Sequence, residues 1–271
     1  MTLPPLSRED LPGGPAGVTA WLAAETASTM DDVRELGRSG APDFTCVRAI
    51  VQTGGRGRLG RAWQSPPGNL YLSVLLRRLG GPGQPVHQLG FVAAVALADA
   101  VSALPGLSGA VRLKWPNDLL LDGAKVAGLL LETGGGGTEA PWCVLGLGLN
   151  VANHPEGLPY SASSLAAAGY GGDPAACAAA FLTRFSMARD AWRAEGFSPV
   201  RAAWLAYAQH HGQVVRVQTA AGMIAGRFDD LDDSGALVLD TDAGRRVITA
   251  GEVTAAGTSP GSRRDMAGEA A

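Results

Sequence analysis

From Gln88 to Leu104 the chain is dominated by alanine, valine and leucine, has Gly90 as its one interior glycine and stops at Pro105. A helix that is apolar on every side offers water no face and has to be buried, yet this one is too short to span a bilayer. The rest of the chain must therefore cover it. Phe44 to Val51, Leu70 to Leu76, Val111 to Trp115, Leu119 to Leu121, Val126 to Glu132 and Trp142 to Val151 are short β-prone runs. They are separated by Pro-Asn-Asp, Asp-Gly and glycine-rich turns, the pattern of hairpins in a mixed sheet. The expectation is an α+β fold, a mixed β-sheet packed with helices, with Gln88 to Leu104 backing the sheet.

Ser28-Thr29-Met30-Asp31-Asp32 opens a further helix that ends at Gly37, with a capping hydroxyl, early acids and a terminal glycine. Ala175 to Ala194 and Ser198 to Ala208 supply two more, with Trp192, Trp204 and Tyr207 as packing anchors. From Gly212 the character changes. Gln213 to Gln218, Met223 to Phe228, Ala236 to Asp240 and Arg245 to Val253 read as four strands of a small β-barrel. The expected organisation is a disordered N-terminus over 1–17, a larger domain over 18–210, a small β-barrel domain over 211–254 and a disordered tail over 255–271, with Gly134 to Gly137 as a flexible turn.

A 46% apolar composition is that of a globular protein, and a net charge of −3 gives no general attraction for nucleic acid. Cys46, Cys143 and Cys177 are widely spaced in apolar or alanine-rich surroundings, which suits reduced buried thiols and shows no metal-ligand spacing. The Pro- and Gly-rich start, Met1 to Gly17, lacks the basic and apolar regions of a secretory signal. These features predict a cytoplasmic protein that binds neither membrane nor nucleic acid.

Only two lysines occur, Lys114 and Lys125, against twenty arginines, and they lie one short hairpin apart. A lysine is a compact three-donor charge where an arginine is a planar fork, so the two are not equivalent at a site gripping phosphate or carboxylate oxygens. Lys114-Trp115-Pro116-Asn117-Asp118 sets a lysine at a strand end, a rigid proline, then an amide and a carboxylate. Asp118 is placed to hold a divalent cation or to orient a lysine.

Gly55-Arg56-Gly57-Arg58-Leu59-Gly60 satisfies G-x-G-x-x-G after a strand, but Arg61-Ala62-Trp63-Gln64-Ser65-Pro66-Pro67-Gly68 cannot start the helix that a dinucleotide fold requires. No H-R-D or D-F-G accompanies it as in a kinase, and neither lysine follows a glycine as in a P-loop. What remains is a loop carrying Arg56, Arg58 and Arg61 beside Trp63. Such a loop neutralises phosphates when it closes, and the indole suits stacking on a base.

Ser28-Thr29, Gln52 before the Gly54 to Trp63 loop, Asn69 to Ser73, Lys114 to Asp118, Lys125-Val126-Ala127-Gly128 and Gly146-Leu147-Gly148-Leu149-Asn150 together resemble the biotin–protein ligases, in order from about Ala24 to Val253. The resemblance implies a class II aminoacyl-tRNA-synthetase-like catalytic domain with a C-terminal Src-homology-3-like barrel. It also implies a two-step reaction, in which biotin and MgATP give biotinyl-5′-adenylate and a lysine of a carrier domain then takes the biotinyl group. By motif match Ser28, Thr29 and Gln52 hold the fused rings of biotin, and Met30 and Gly128 line the pocket. Arg56, Gly57 and Arg58 form the closing loop, with Arg58 near carboxylate and phosphate and Arg61 beside the nucleotide. Trp63 faces adenine, Lys114 the α-phosphate and Lys125 the activated carboxyl, while Asn117 and Asn150 lie around the nucleotide. Asp118 assists Lys114 or the incoming lysine. Biotin, ATP and Mg²⁺ are the small molecules implied.

Met30 stands where members of that family often have asparagine, and Gly251-Glu252-Val253 partly matches the family's usual glycine pair. About two dozen residues precede the first matching motif, which leaves no room for the winged helix-turn-helix of bifunctional members, so no repressor role is expected. The implied partner is the biotin carboxyl-carrier domain of acetyl-CoA carboxylase or a related carboxylase, and a homodimer is possible. The competing readings are a lipoate–protein ligase or octanoyltransferase, and a non-catalytic biotinyl-adenylate-binding module.

Overall fold

The computed structural model describes residues 3–77, 79–81, 84–134 and 142–255. An eight-stranded sheet contains β1 (Leu6–Arg8), β2 (Thr19–Thr26), β3 (Thr45–Gln52), β4 (Leu70–Leu76), β5 (Val111–Lys114), β6 (Asp118–Leu121), β7 (Ala124–Gly134) and β8 (Trp142–Leu149), in the order β1-β2-β3-β4-β8-β7-β6-β5. Only β2 and β3 are parallel, and helix α1 (Thr29–Arg38) connects them. Every other neighbouring pair is antiparallel.

Alternation along the strands gives the sheet two different faces. Leu72, Val74 and Leu76 of β4 and Cys143, Leu145 and Leu147 of β8 point to one side, where α2 (Gln88–Ser102), α3 (Pro174–Glu195) and α4 (Ser198–Tyr207) build the main core. The apolar α2 is buried along almost its whole length, as its sequence demands. On the other side Leu75, Val47 and Val144 meet Met30 and Val33 of α1 in a smaller cluster.

The C-terminal sheet has five antiparallel strands, β9 (Val214–Thr219), β10 (Gly222–Leu231), β11 (Leu237–Thr241), β12 (Gly244–Ile248) and β13 (Glu252–Ala255), in the order β12-β11-β10-β9-β13. The run from Arg245 to Val253, expected as one strand, is two. It breaks before Gly251, where a Cβ would stand 2.7 Å from Val217 and 2.9 Å from the Gln218 carbonyl, so the chain crosses tightly to the other edge. This sheet is locked to the larger one by the Trp115 indole donating to the Gly235 carbonyl at 3.0 Å and the Gln88 amide donating to Asp233 O at 2.8 Å. Phe91, Trp204 and Phe228 form a ring-to-ring chain between α2, α4 and β10.

The N-terminus departs from the expected disorder. Leu6–Arg8 pairs with β2, and the Glu9 carboxylate takes Arg48 of β3, so backbone bonds and a part-buried ion pair fasten it to the sheet edge. The expected turn at 134–137 and the tail from 256 lie outside the described residues, apart from Gly134, which closes β7. Cys46, Cys143 and Cys177 are free and buried, and burial pushes their thiols up to about 12, 12 and 11. No helix among the described residues is long and apolar enough to cross a membrane.

Candidate active site

The sheet face opposite α2 is not fully covered by α1, and a cavity of about 420 Å³ opens there. Glycines create its floor. Gly128 of β7 and Gly148 of β8 are direct cross-strand partners, and the Trp63 indole lies over both. Gly146 leaves space for the Met30 thioether, whose sulfur would be 2.8 Å from a Cβ there.

The end next to α1 is a wall of hydroxyls and amides. Gln52 accepts through Oε1 from the Thr29 amide at 3.0 Å and its hydroxyl at 3.1 Å, and its Nε2 donates to Ser65 Oγ at 3.0 Å. Thr29 Oγ1 and Ser73 Oγ are 2.8 Å apart. Ser28 stands at the N-terminus of α1, but its hydroxyl makes no capping bond, contrary to expectation. Its backbone carbonyl starts the helix, and the residue lines the cavity.

The arginine loop closes the side of the cavity as a narrow hairpin, with Gly57 N bonded to Arg61 O and Trp63 N to Gly55 O. Its tip carries Leu59 at φ 57° and Gly60 at φ 72°. Arg56 is held by both oxygens of Asp31, at 2.6 and 2.7 Å, and Arg34 bridges the same Asp31 to Glu132. This contact holds the Asp31 carboxyl below its ordinary range. Arg58 donates to Asn117 Oδ1 at 3.3 Å, and burial pulls its guanidinium below its ordinary value. Arg61 reaches Glu252 of β13 at 2.8 Å, and that hydrogen bond, aided by the charges of Arg61, Lys114 and Lys125, lowers the Glu252 carboxyl.

Lys114 ends β5 and Lys125 begins β7, so the two lysines converge on the same cavity. The turn between β5 and β6 contains a cis Trp115–Pro116 bond. Asn117 fixes this turn to β7, its Nδ2 donating to Leu129 O at 2.6 Å while its carbonyl accepts from Leu129 N at 3.0 Å. Asp118 pairs with Lys125 at 2.7 Å rather than with Lys114. A register shift after Leu119 in the β6–β7 hairpin accompanies that partnership.

Cationic groups from three segments thus face a cavity whose far end is uncharged and hydrogen-bonding. Such a site suits a polar head group at one end and a reaction that brings two anions together at the other. Among the described residues there is no group of three or more potential metal ligands, and the Asp118 carboxylate is engaged by Lys125.

Residues 23–150 match the Biotin/lipoate A/B protein ligase family, and residues 210–254 match the Biotin protein ligase C terminal domain. The Biotin–[acetyl-CoA-carboxylase] ligase of Paracoccus denitrificans is 39% identical over an alignment of 242 positions that covers 86% of this chain and 98% of that relative. The chain belongs to the biotin–protein ligase family. The Biotin–[acetyl-CoA-carboxylase] ligase of Mycobacterium tuberculosis is 35% identical over 236 residues, 86% of this chain and 87% of its own. Among solved structures, the biotin protein ligase of Aquifex aeolicus in complex with biotin and ATP superposes with a TM-score of 0.73 at 27% identity, over 87% of this chain and 97% of that one.

Of the residues that the family motifs single out, Ser28, Thr29, Met30, Gln52, Arg56, Gly57 and Arg58 line the cavity, as do Arg61, Trp63, Lys114, Asn117, Asp118, Lys125 and Gly128. Asn150 does not. It is buried, and its amide donates to Ser163 O at 2.9 Å, which ties the 161–165 segment to the end of β8. Sequence reading gives no site role to Asp31, Ser73, Tyr160 or Glu252, which also line the cavity or hold its loop. Ser73 was legible as an isolated hydroxyl in the apolar run Leu70 to Leu76. Asp31 reads as part of the helix start, Glu252 stands inside the Gly251-Glu252-Val253 match without a role of its own, and Tyr160 comes from a distant segment with no local signal.

Proposed function

We propose that this biotin–protein ligase activates biotin with ATP and transfers the biotinyl group to a lysine of a biotin carboxyl-carrier domain. The carrying observation is the convergence of both lysines of the chain with Arg58 on one cavity. In the first step a biotin carboxylate oxygen attacks the α-phosphorus of ATP, and the bond from that phosphorus to the bridging oxygen breaks, releasing pyrophosphate. Arg58, Lys114 and Lys125 neutralise the negative charge gathered there. In the second step a neutral acceptor amine attacks the acyl carbon, the bond from that carbon to the phosphate oxygen breaks, AMP leaves and the amine loses a proton.

The uncharged wall of Ser28, Thr29, Gln52 and Ser73 suits the ureido ring of biotin, which has donors and an acceptor but no charge. Trp63 would stack on adenine after moving off the glycine floor, and its indole nitrogen is buried with no hydrogen-bond partner among the described residues. Mg²⁺ would enter on the triphosphate as part of the substrate. The acceptor favoured by likeness to the named relatives is the carrier domain of acetyl-CoA carboxylase.

ATP–pyrophosphate exchange with Mg²⁺ tests the activity, with biotin, lipoate and octanoate compared as the acid. Exchange with biotin alone is expected. Exchange with lipoate would move the chain to the lipoate-using branch, and no exchange with any acid would leave a binding module.

A further inference from the structure

Lys125 is enclosed by more than its ion pair. Its Nζ lies 5.6 Å from the Trp63 ring centroid and 5.5 Å from that of Tyr160, with Asp118 Oδ1 at 2.7 Å. Both rings are within the range at which an ammonium is attracted by an aromatic face. Tyr160 is held there by backbone, because Lys125 N donates to Ser161 O at 2.9 Å and Ser163 N donates to Lys125 O at 3.0 Å. The segment after Tyr160 thus pairs with β7 at the lysine itself, with Ala162 opposite Lys125. The ring rests at the cavity rim, 37% exposed.

We infer that Tyr160 is a positioning residue, closing with Trp63 an aromatic clamp on the Lys125 ammonium. The four-carbon stem of a lysine is flexible, and its charge is useful only where oxygens carry developing charge. Asp118 alone fixes one of the three ammonium donors. Two ring faces confine the charge without using a donor, so the remaining donors stay available to carboxylate and phosphate oxygens. Trp63 belongs to the arginine-loop hairpin, whereas Tyr160 is anchored to β7. When Trp63 turns to a base, Tyr160 is the ring that keeps Lys125 in place. The consequence for catalysis rests on the activity proposed above, but the clamp does not.

With two lysines in the chain, full-length protein labelled with ¹³C-lysine gives two sets of side-chain signals, and Lys114→Arg assigns them. Ring currents should shift the Lys125 Cε protons away from those of Lys114. Tyr160→Leu should move them back and Tyr160→Phe should not. In adenylation, Tyr160→Leu should lower kcat about fivefold, as loss of one cation–aromatic contact implies, with Tyr160→Phe restoring it. In a Lys125→Gln background Tyr160→Leu should cost nothing further. Unshifted Lys125 signals, a Phe variant as impaired as the Leu variant, or an equal loss in the Lys125→Gln background would overturn the clamp. Shifted signals in a protein without exchange activity would keep the clamp while the ligase reading fell.

Discussion

Gly128 and Gly148 face each other across β7 and β8, and the indole of Trp63 rests on the backbone of both. A Cβ on Gly148 would overlap that ring, with Nε1 at 2.5 Å, and a rigid indole cannot yield as a thioether can. Gly148→Ala is therefore expected to push Trp63 off the floor, the move that stacking on adenine requires, and so to lower the KM for ATP about threefold by removing the competing resting position. Gly146→Ala meets the flexible Met30 side chain instead and should act mainly on biotin. Steady-state kinetics of both variants, with melting curves to show that they fold, checks the contrast.

Arg58 donates to Asn117 across the mouth of the cavity. Arg58→Ala should still form adenylate but release it about tenfold faster, the scale of one lost charged hydrogen bond. Retention of labelled adenylate on a filter is the measurement, and unchanged retention would count against a shielding role for the loop.

Asp31 ties the loop to α1 through Arg56, and its carboxyl lies below the ordinary 3.8 because that guanidinium hydrogen-bonds it. A lowered carboxyl contributes stability that is complete above 3.8 and is lost as pH falls through its lower folded value. Protection of the 55–63 loop from proteolysis should therefore persist through mild acid and fail only below that window. Asp31→Asn should show poor protection at every pH.

Asp32, the next residue, has the opposite sign. It is 1% exposed with Oδ2 unpartnered, and burial raises its carboxyl above 3.8 despite a hydrogen bond with Thr26. An acid raised in the folded state loses stability as pH climbs from 3.8 through the folded value, so at neutral pH the penalty is fully present. Asp32→Asn can still accept from Thr26 and removes the buried charge, so it should stabilise the protein and raise its Tm at neutral pH. The gain in Tm should vanish in acid.

The apolar run of α2, the fully buried Leu70–Leu76 strand and the turn chemistry around Pro116 and Gly123 were readable because local pattern and final burial agree there. Strand β2 was not, since its Ala-, Glu- and Thr-containing stretch lacks β-alternation and is a strand only because β1 and β3 flank it. The fifth C-terminal strand was hidden for a similar reason, because the break before Gly251 is imposed by its approach to Val217.

The same division runs through the site. Sequence alone determined which chemical groups are present, namely the arginine loop, the lysine pair and the glycines at alternate positions of β8, because these need only residue type and spacing. Tertiary structure decided their partnerships: Asp118 with Lys125 and not Lys114, Asp31 with Arg56, Arg61 with Glu252, and Asn150 inside the protein instead of on the cavity. Ion pairs and hydrogen bonds act over about 3 Å, and residues up to 191 positions apart reach that distance only once the two sheets have packed.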